Sequence, residues 1–110
     1  MRIIAGQFKG TRLFSPKNKL VRPTSDRVRE FIFSYLGPDV KGKTVLDLFA
    51  GTGAFGFEAI SRGCTESIFV DMSSTCIDLV KRNSEKLGVD VVIFRMRAEK
   101  YLKQDRKSVV

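Results

Sequence analysis

The segment from Val45 to Glu58, VLDLFAGTGAFGFE, constrains the fold of this chain more than any other. An apolar run interrupted only by Asp47 leads into Gly51-Thr52-Gly53-Ala54-Phe55-Gly56, a G-x-G-x-x-G turn, and more apolar residues follow. Glycines at that spacing let the backbone bend sharply out of a strand and come close to a ligand. The helix that follows presents free N–H groups at its first turn. A strand that feeds a crossover helix returns parallel to itself, so the turn predicts an α/β fold with a parallel sheet.

The rest of the sequence repeats that alternation. Strands are expected at 44–49, 67–71 and 89–94. Between them lie a helix at 54–62 and a second that starts at Ser73 or Ser74, buries Cys76, Ile77, Val80 and Leu87, and stops at Gly88. A short helix is expected at 99–103, and Ser108-Val109-Val110 reads as the start of another strand. Upstream, Thr24 is placed to cap a helix in which Val28, Phe31, Ile32, Tyr35 and Leu36 follow the i, i+3, i+4, i+7, i+8 spacing of a buried stripe, with Gly37-Pro38 as its stop. Residues 2–14 read as two short strands joined at Lys9-Gly10. The 110 residues suit one domain, divided into a basic arm at 1–23 and an α/β unit at 24–110.

The glycine turn alone fits either a nicotinamide dinucleotide or S-adenosylmethionine. Asp71 stands at the end of the second strand, where an acid can take both hydroxyls of a ribose, and both cofactors have one. Asp47 separates them. It precedes Gly51 by four residues, at the carboxyl end of the first strand, where it would repel a pyrophosphate but favour an ammonium or sulfonium. The order Asp47, Phe49, Gly51, Gly53 therefore points to the methyl donor and to a Rossmann-like S-adenosylmethionine-dependent methyltransferase fold.

Charge points to a partner. The chain carries a net +8, and residues 1–43 hold ten Lys/Arg against three acids, so nearly all the excess lies in the first third. A basic arm beside a nearly neutral domain suits a polyanion, because phosphates dominate nucleic-acid affinity. Other classes are excluded. No apolar run approaches the ~18 residues a membrane span needs, and no secretory leader opens the chain, so a cytoplasmic location is expected. No histidine is present, and Cys64 and Cys76 lack metal-ligand spacing, so two free thiols and no metal site are expected.

With RIIAGQFKG at the start, the segments RPTSDRVREFIFSYL (Arg22 to Leu36) and LDLFAGTGAFGFEAISRG (Leu46 to Gly63) resemble the bacterial 16S ribosomal RNA guanine-N2 methyltransferases, the small-subunit methyltransferase D family. The resemblance runs from Arg2 to about Leu102, and the R-P-T-x-D-R-V-R-E segment is its most specific part. It implies methyl transfer from S-adenosyl-L-methionine to the exocyclic amine of a guanine in small-subunit ribosomal RNA, free or in an assembling subunit. It also implies that Asp47, Phe49, Gly51, Thr52 and Gly53 line the methionine end of the cofactor, that Asp71 takes the ribose, and that Ala98 lies by the adenine. Arg2, Lys9 and Arg12 of the arm, with Arg22, Thr24 and Arg29, would face RNA or the target base. Arg29 would also join an ion network on its helix.

Two departures stand out. The family usually carries Asp or Asn where this chain has Arg97, and arginine, having only donors, cannot accept from an adenine amine. The family's Asp/Asn-Pro-Pro-aromatic motif, which holds the target amine and stacks on the flipped base, is not among the 110 residues; Pro16, Pro23 and Pro38 all precede the glycine turn. The expectation is a fold truncated after about the third strand, inactive alone, with an exposed sheet edge through which it could dimerise. The alternative is a non-catalytic cofactor- or RNA-binding remnant. A nicotinamide-dependent enzyme is disfavoured by Asp47 and by the Arg22–Glu30 segment.

Overall fold

A computed structural model describes residues 1–15, 26–48 and 50–104. Its elements are α1 (Asp26–Leu36), a 3-10 turn (Gly37–Val40), β1 (Thr44–Asp47), α2 (Ala54–Ser61), β2 (Glu66–Asp71), α3 (Ser74–Leu87), β3 (Val92–Arg95) and α4 (Ala98–Gln104). The strands form one parallel sheet in the order β1-β2-β3, with Leu46 opposite Ile68 and Phe69 opposite Ile93. The expected helix start at Thr24 and the expected strand at 108–110 lie outside the described residues.

Alternation along β2 sets the layers. Phe69 joins Phe57 of α2 and Val80 and Leu87 of α3 in one core cluster, whereas Ile68 and Val70 pack with Tyr101 of α4. Successive strand residues face opposite ways, so α2 and α3 cover one face and α4 the other. Right-handed crossovers give that arrangement. β3 starts later than the apolar run suggests. Gly88 adopts a left-handed conformation, and the N–H groups of Gly88 and Val89 donate to Glu85 O and Ser84 O to close α3.

The N-terminal segment is a hairpin with a single antiparallel bridge, Arg2 to Arg12, rather than two strands. Ile3 N, Gly10 N and Leu13 N donate across it to Thr11 O, Ile3 O and Met1 O, and other donors reach α2. Ile4 N and Ala5 N donate to the Glu58 carboxylate at 2.9 and 3.1 Å. Gln7 N donates to Ser61 O, and Phe8 N to Ser61 Oγ. Ile3 and Leu13 are buried in the same cluster as Phe57 and Phe69.

Helix α1 corrects the expected stripe. Phe31, Tyr35 and Val28 are 72%, 83% and 48% exposed, and the buried residues are Arg29 and Phe33. Glu58 decides the rotation. It sits wholly buried in α2, and an uncompensated charge there is costly. Arg29, also wholly buried, reaches it through Nη1 at 3.3 Å, while Nη2 donates to Arg2 O and to Asp26. Arg62 Nε donates to the other Glu58 oxygen at 2.8 Å. Turning Arg29 inward carries Phe33 with it at i+4, onto Phe55 and Ala59, and swings Phe31 and Tyr35 outward.

Glu58 thus accepts from four donors, the full capacity of a carboxylate. Glu58→Gln puts an amide NH2 against donors and leaves Arg29 with the exposed Asp26 carboxylate in place of its buried counter-charge. Breaking a buried pair in this way costs about 3–5 kcal/mol. Urea unfolding of the two proteins measures it, and a loss below about 1 kcal/mol would show that this contact does not hold the hairpin to α2.

Candidate functional site

The carboxyl ends of β1 and β2 bring the two predicted acids to either side of the glycine turn. Asp71 Oδ2 accepts from Gly51 N at 3.0 Å, and Oδ1 accepts from Ser73 N at 2.8 Å. One carboxylate therefore ties the glycine turn to the start of α3, and it remains partly exposed. Asp47 is buried, and its Oδ2 accepts from Gly56 N at 3.3 Å, in the first turn of α2. A negative charge there is favoured by the helix dipole. The first turn has no side-chain cap of its own, because its N-cap is Gly53 with φ 84°.

The glycines answer to packing. A Cβ on Gly53 would come within 2.6 Å of the Phe57 ring, and one on Gly56 within 2.3 Å of the Phe69 ring. Gly56 brings α2 hard against the sheet, and Gly53 leaves room for the Phe57 ring.

Thr52 is buried, its hydroxyl donating to Met1 Sδ at 3.2 Å. Its carbonyl accepts from Asn83 Nδ2 at 3.1 Å. Asn83 is fully buried on α3 and also clamps Phe14, accepting from Phe14 N at 2.6 Å and donating to Phe14 O at 3.2 Å. Arg82 and Lys86 stand over the Phe14 ring at 4.3 and 5.0 Å. One amide thus joins the glycine turn to the end of the N-terminal hairpin.

Neither Glu58 nor Asn83 was singled out from the sequence, though both leave a trace there. Glu58 is a charge inside AFGFEAIS, a helix too apolar to face water. Asn83 falls on the Cys76, Val80, Leu87 stripe of α3. A polar residue on a buried stripe must be hydrogen-bonded.

Other expected residues divide. Arg2, Lys9 and Arg12 are exposed, and the Arg2–Arg12 bridge sets two cations side by side. Arg29 is not available to RNA among the described residues, because it is 0% exposed and its guanidinium serves Glu58, Asp26 and Arg2 O. Phe49, Arg22 and Thr24 lie outside the described residues. Ala98 is buried at the start of α4. Before it, Met72, Arg95, Met96, Arg97 and Lys100 line an open groove of about 340 Å³ beyond the ends of β2 and β3.

The site suits a cationic, diol-bearing ligand better than a pyrophosphate. Asp71 accepts one backbone hydrogen bond on each carboxylate oxygen and keeps acceptor capacity for a diol. Arg97 offers no acceptor for an adenine amine. Among the described residues no cluster of His, Cys, Asp and Glu is placed to hold a metal, and no helix is long and apolar enough to cross a membrane.

Known proteins carry the same frame. A solved Escherichia coli structure with a provisional methyltransferase name superimposes with a TM-score of 0.84 at 32% identity, over 93% of this chain and 55% of that one. The fold is that of the Rossmann-like methyltransferases. The chain belongs to the family described as Conserved hypothetical protein 95, which matches residues 1–110. Its relatives include the ribosomal RNA small subunit methyltransferase D of Haemophilus influenzae, 39% identical over 79% of this chain and 45% of that protein. A Bacillus subtilis protein provisionally named an rRNA methyltransferase is 42% identical over 93% of this chain and 56% of its own length. The chain thus spans about half the length of the curated relatives it matches.

Both cysteines are free, as expected. Burial pushes the Cys64 thiol up, against a hydrogen bond with Ser67. Burial also raises Cys76, with Ser73 opposing and the Asp71 charge adding to it. A raised thiol pKa means less thiolate at neutral pH. Alkylation by iodoacetamide at pH 7 is expected to be slower than in the urea-unfolded chain, and to rise only above the ordinary thiol range. Equal rates in both states would contradict the burial. Asn83→Ala strands the Phe14 and Thr52 groups, at about 1–3 kcal/mol for each one left buried and unsatisfied. Faster amide exchange at Phe14 is the expected signature.

Proposed function

We propose that this chain is the cofactor-binding part of an S-adenosylmethionine-dependent methyltransferase that modifies the exocyclic amine of a guanine in small-subunit ribosomal RNA. The observation that carries the reading is the pair Asp47 and Asp71 on either side of the glycine turn. When bound, the cofactor supplies an electrophilic methyl group on a sulfonium. Asp47, Phe49, Gly51, Thr52 and Gly53 would hold its methionine end, Asp71 its ribose hydroxyls, and Ala98 would lie by the adenine. Asp71 is already aligned by Gly51 N and Ser73 N, so little reordering is needed to accept a diol. Thr52, fixed by Asn83, keeps the turn in register with the hairpin.

Arg2, Lys9 and Arg12 form the proposed RNA surface, and the resemblance assigns Arg22 and Thr24, outside the described residues, to the target base. Like charges placed opposite each other on a hairpin repel, and a phosphate between them reverses that cost. The relatives' names support ribosomal RNA as the substrate class. The Asp/Asn-Pro-Pro-aromatic motif is not among the 110 residues, so we expect no turnover from them alone.

A second reading, a non-catalytic module that pairs through its sheet, is favoured by one observation. Among the described residues β1 has a neighbour on one side only. Sedimentation of the chain as a monomer at high concentration would remove that reading.

Calorimetry with S-adenosylhomocysteine tests the leading one. We expect saturable binding, weakened about tenfold or more in Asp71→Asn, as for loss of a charged hydrogen bond. Absence of binding, or equal binding of NADH, would overturn it. Labelled methyl incorporation into undermodified small subunits is expected with a full-length relative and not with this chain. Turnover by the 110 residues would refute the assignment of the acceptor site to residues outside them.

A further inference from the structure

Phe14 ends the hairpin and carries two cations on its ring. Arg82 Cζ stands 4.3 Å from the ring centre and Lys86 Nζ 5.0 Å. Both belong to α3 and lie four residues apart, on one face of the helix, where like charges destabilise each other. Lys86 Nζ also donates to Arg12 O, which joins the pair to the Arg2–Arg12 bridge of the hairpin. Among the described residues Arg2, Arg12, Arg82 and Lys86 make no ion pair, although the acids Asp78 and Glu85 share α3 with the last two.

The ring accounts for how these charges stay together. A carboxylate would hold Arg82 and Lys86 in place and cancel them. An aromatic face attracts cations through its quadrupole and leaves their charge standing. The ring is itself held by its backbone, since the buried Asn83 accepts from Phe14 N at 2.6 Å and donates to Phe14 O at 3.2 Å. Cations fixed without being neutralised raise the local potential, and an anion that arrives there relieves their repulsion.

The arrangement suits a strand better than a small anion. Hairpin and helix supply two cations each, so the charge runs across two elements instead of closing around one point. A guanidinium stacked on a ring keeps its N–H fork for a phosphate, and a lysine adds a point charge. A polymer with successive phosphates can meet both elements at once. Asn83 also donates to Thr52 O, so the cluster is tied to the glycine turn from which the methyl donor would be presented.

We propose that Arg82 and Lys86, held on the ring of Phe14, bind phosphates of the RNA strand and extend the hairpin surface onto α3. Phe14 is the positioning residue, and the two cations make the contact. The proposal rests on the methyltransferase reading for the identity of the strand, and on this cluster alone for the phosphate contact.

The test uses the full chain and a ten-nucleotide single-stranded RNA followed by fluorescence anisotropy between 50 and 200 mM salt, conditions over which phosphate contacts are strongly salt-dependent. Arg82→Gln and Lys86→Gln are each expected to weaken binding severalfold. Each should also flatten the plot of log affinity against log salt by about 0.7, the contribution of one phosphate contact on a single strand. Arg82→Lys keeps the charge and should retain the slope. Phe14→Leu keeps the backbone clamp and removes the ring, so affinity should fall severalfold, whereas Phe14→Tyr should retain it. Arg82 and Lys86 are exposed, and thermal melts check that the variants stay folded. Unchanged affinity and slope in folded Arg82→Gln and Lys86→Gln, or no RNA binding by the parent chain, would overturn the proposal. A lower melting temperature with unchanged affinity in Phe14→Leu would refute the positioning role. AMP separates a strand from a free nucleotide: binding as tight as the RNA, with the same dependence on Arg82, would overturn the assignment to a strand. S-adenosylhomocysteine titrated into the same proteins separates this cluster from the reading it rests on. Cofactor binding with no effect of the variants on RNA refutes the cluster alone. Variant-sensitive RNA binding with no cofactor binding refutes the methyltransferase reading and leaves the phosphate contact standing.

Discussion

The buried carboxylate of Glu58 is the contact on which the rest of the structure depends. It lies in α2, the helix launched by the glycine turn, and collects Ile4 N, Ala5 N, Arg29 and Arg62. Two segments distant in sequence, the hairpin and α1, are thereby fixed to one side chain beside its local partner Arg62. Remove them and α2 holds a bare charge in an apolar interior, so none can leave singly without heavy cost. The hairpin's position, the rotation of α1 and the burial of Phe33 all follow from satisfying that one group.

The glycine turn inherits this rigidity. Asp47 stabilises the start of α2, Asp71 binds the turn to the start of α3, and Asn83 binds it to Phe14. The loop that would approach a cofactor is thus clamped from the strand before it, the strand beside it and the helix behind it. Such preorganisation lets a ligand meet aligned groups rather than having to order them.

Much of this was legible in the sequence because it is local. Period-two and period-3.6 patterns, the Gly88 stop, the Ser73 cap and the G-x-G-x-x-G turn each depend on residues a few positions apart, and the sheet order follows from right-handed crossovers. What sequence reading misplaced depends on long-range polar pairing. The apolar stripe of α1 matched a helical period well, yet Arg29 outcompeted it for the interior because its partner sits 29 residues away in α2. The hairpin keeps a few cross-strand bonds, while Glu58 and Ser61 take the donors of Ile4, Ala5 and Phe8 and anchor it to α2. At the site, strand-end acids were readable from position alone, whereas Asn83 and the cationic groove emerge only when separate elements meet.

The hairpin's contacts also bear on how the molecule is made. Its hydrogen bonds to Glu58 and Asn83 span 53 to 69 residues. During synthesis the hairpin residues precede α2 and α3 and therefore wait until both have followed. Ile3 and Leu13 stay uncovered through that interval, and the loop they close is entropically expensive to form early. The hairpin is made before the helices that hold it, so its docking has to follow theirs.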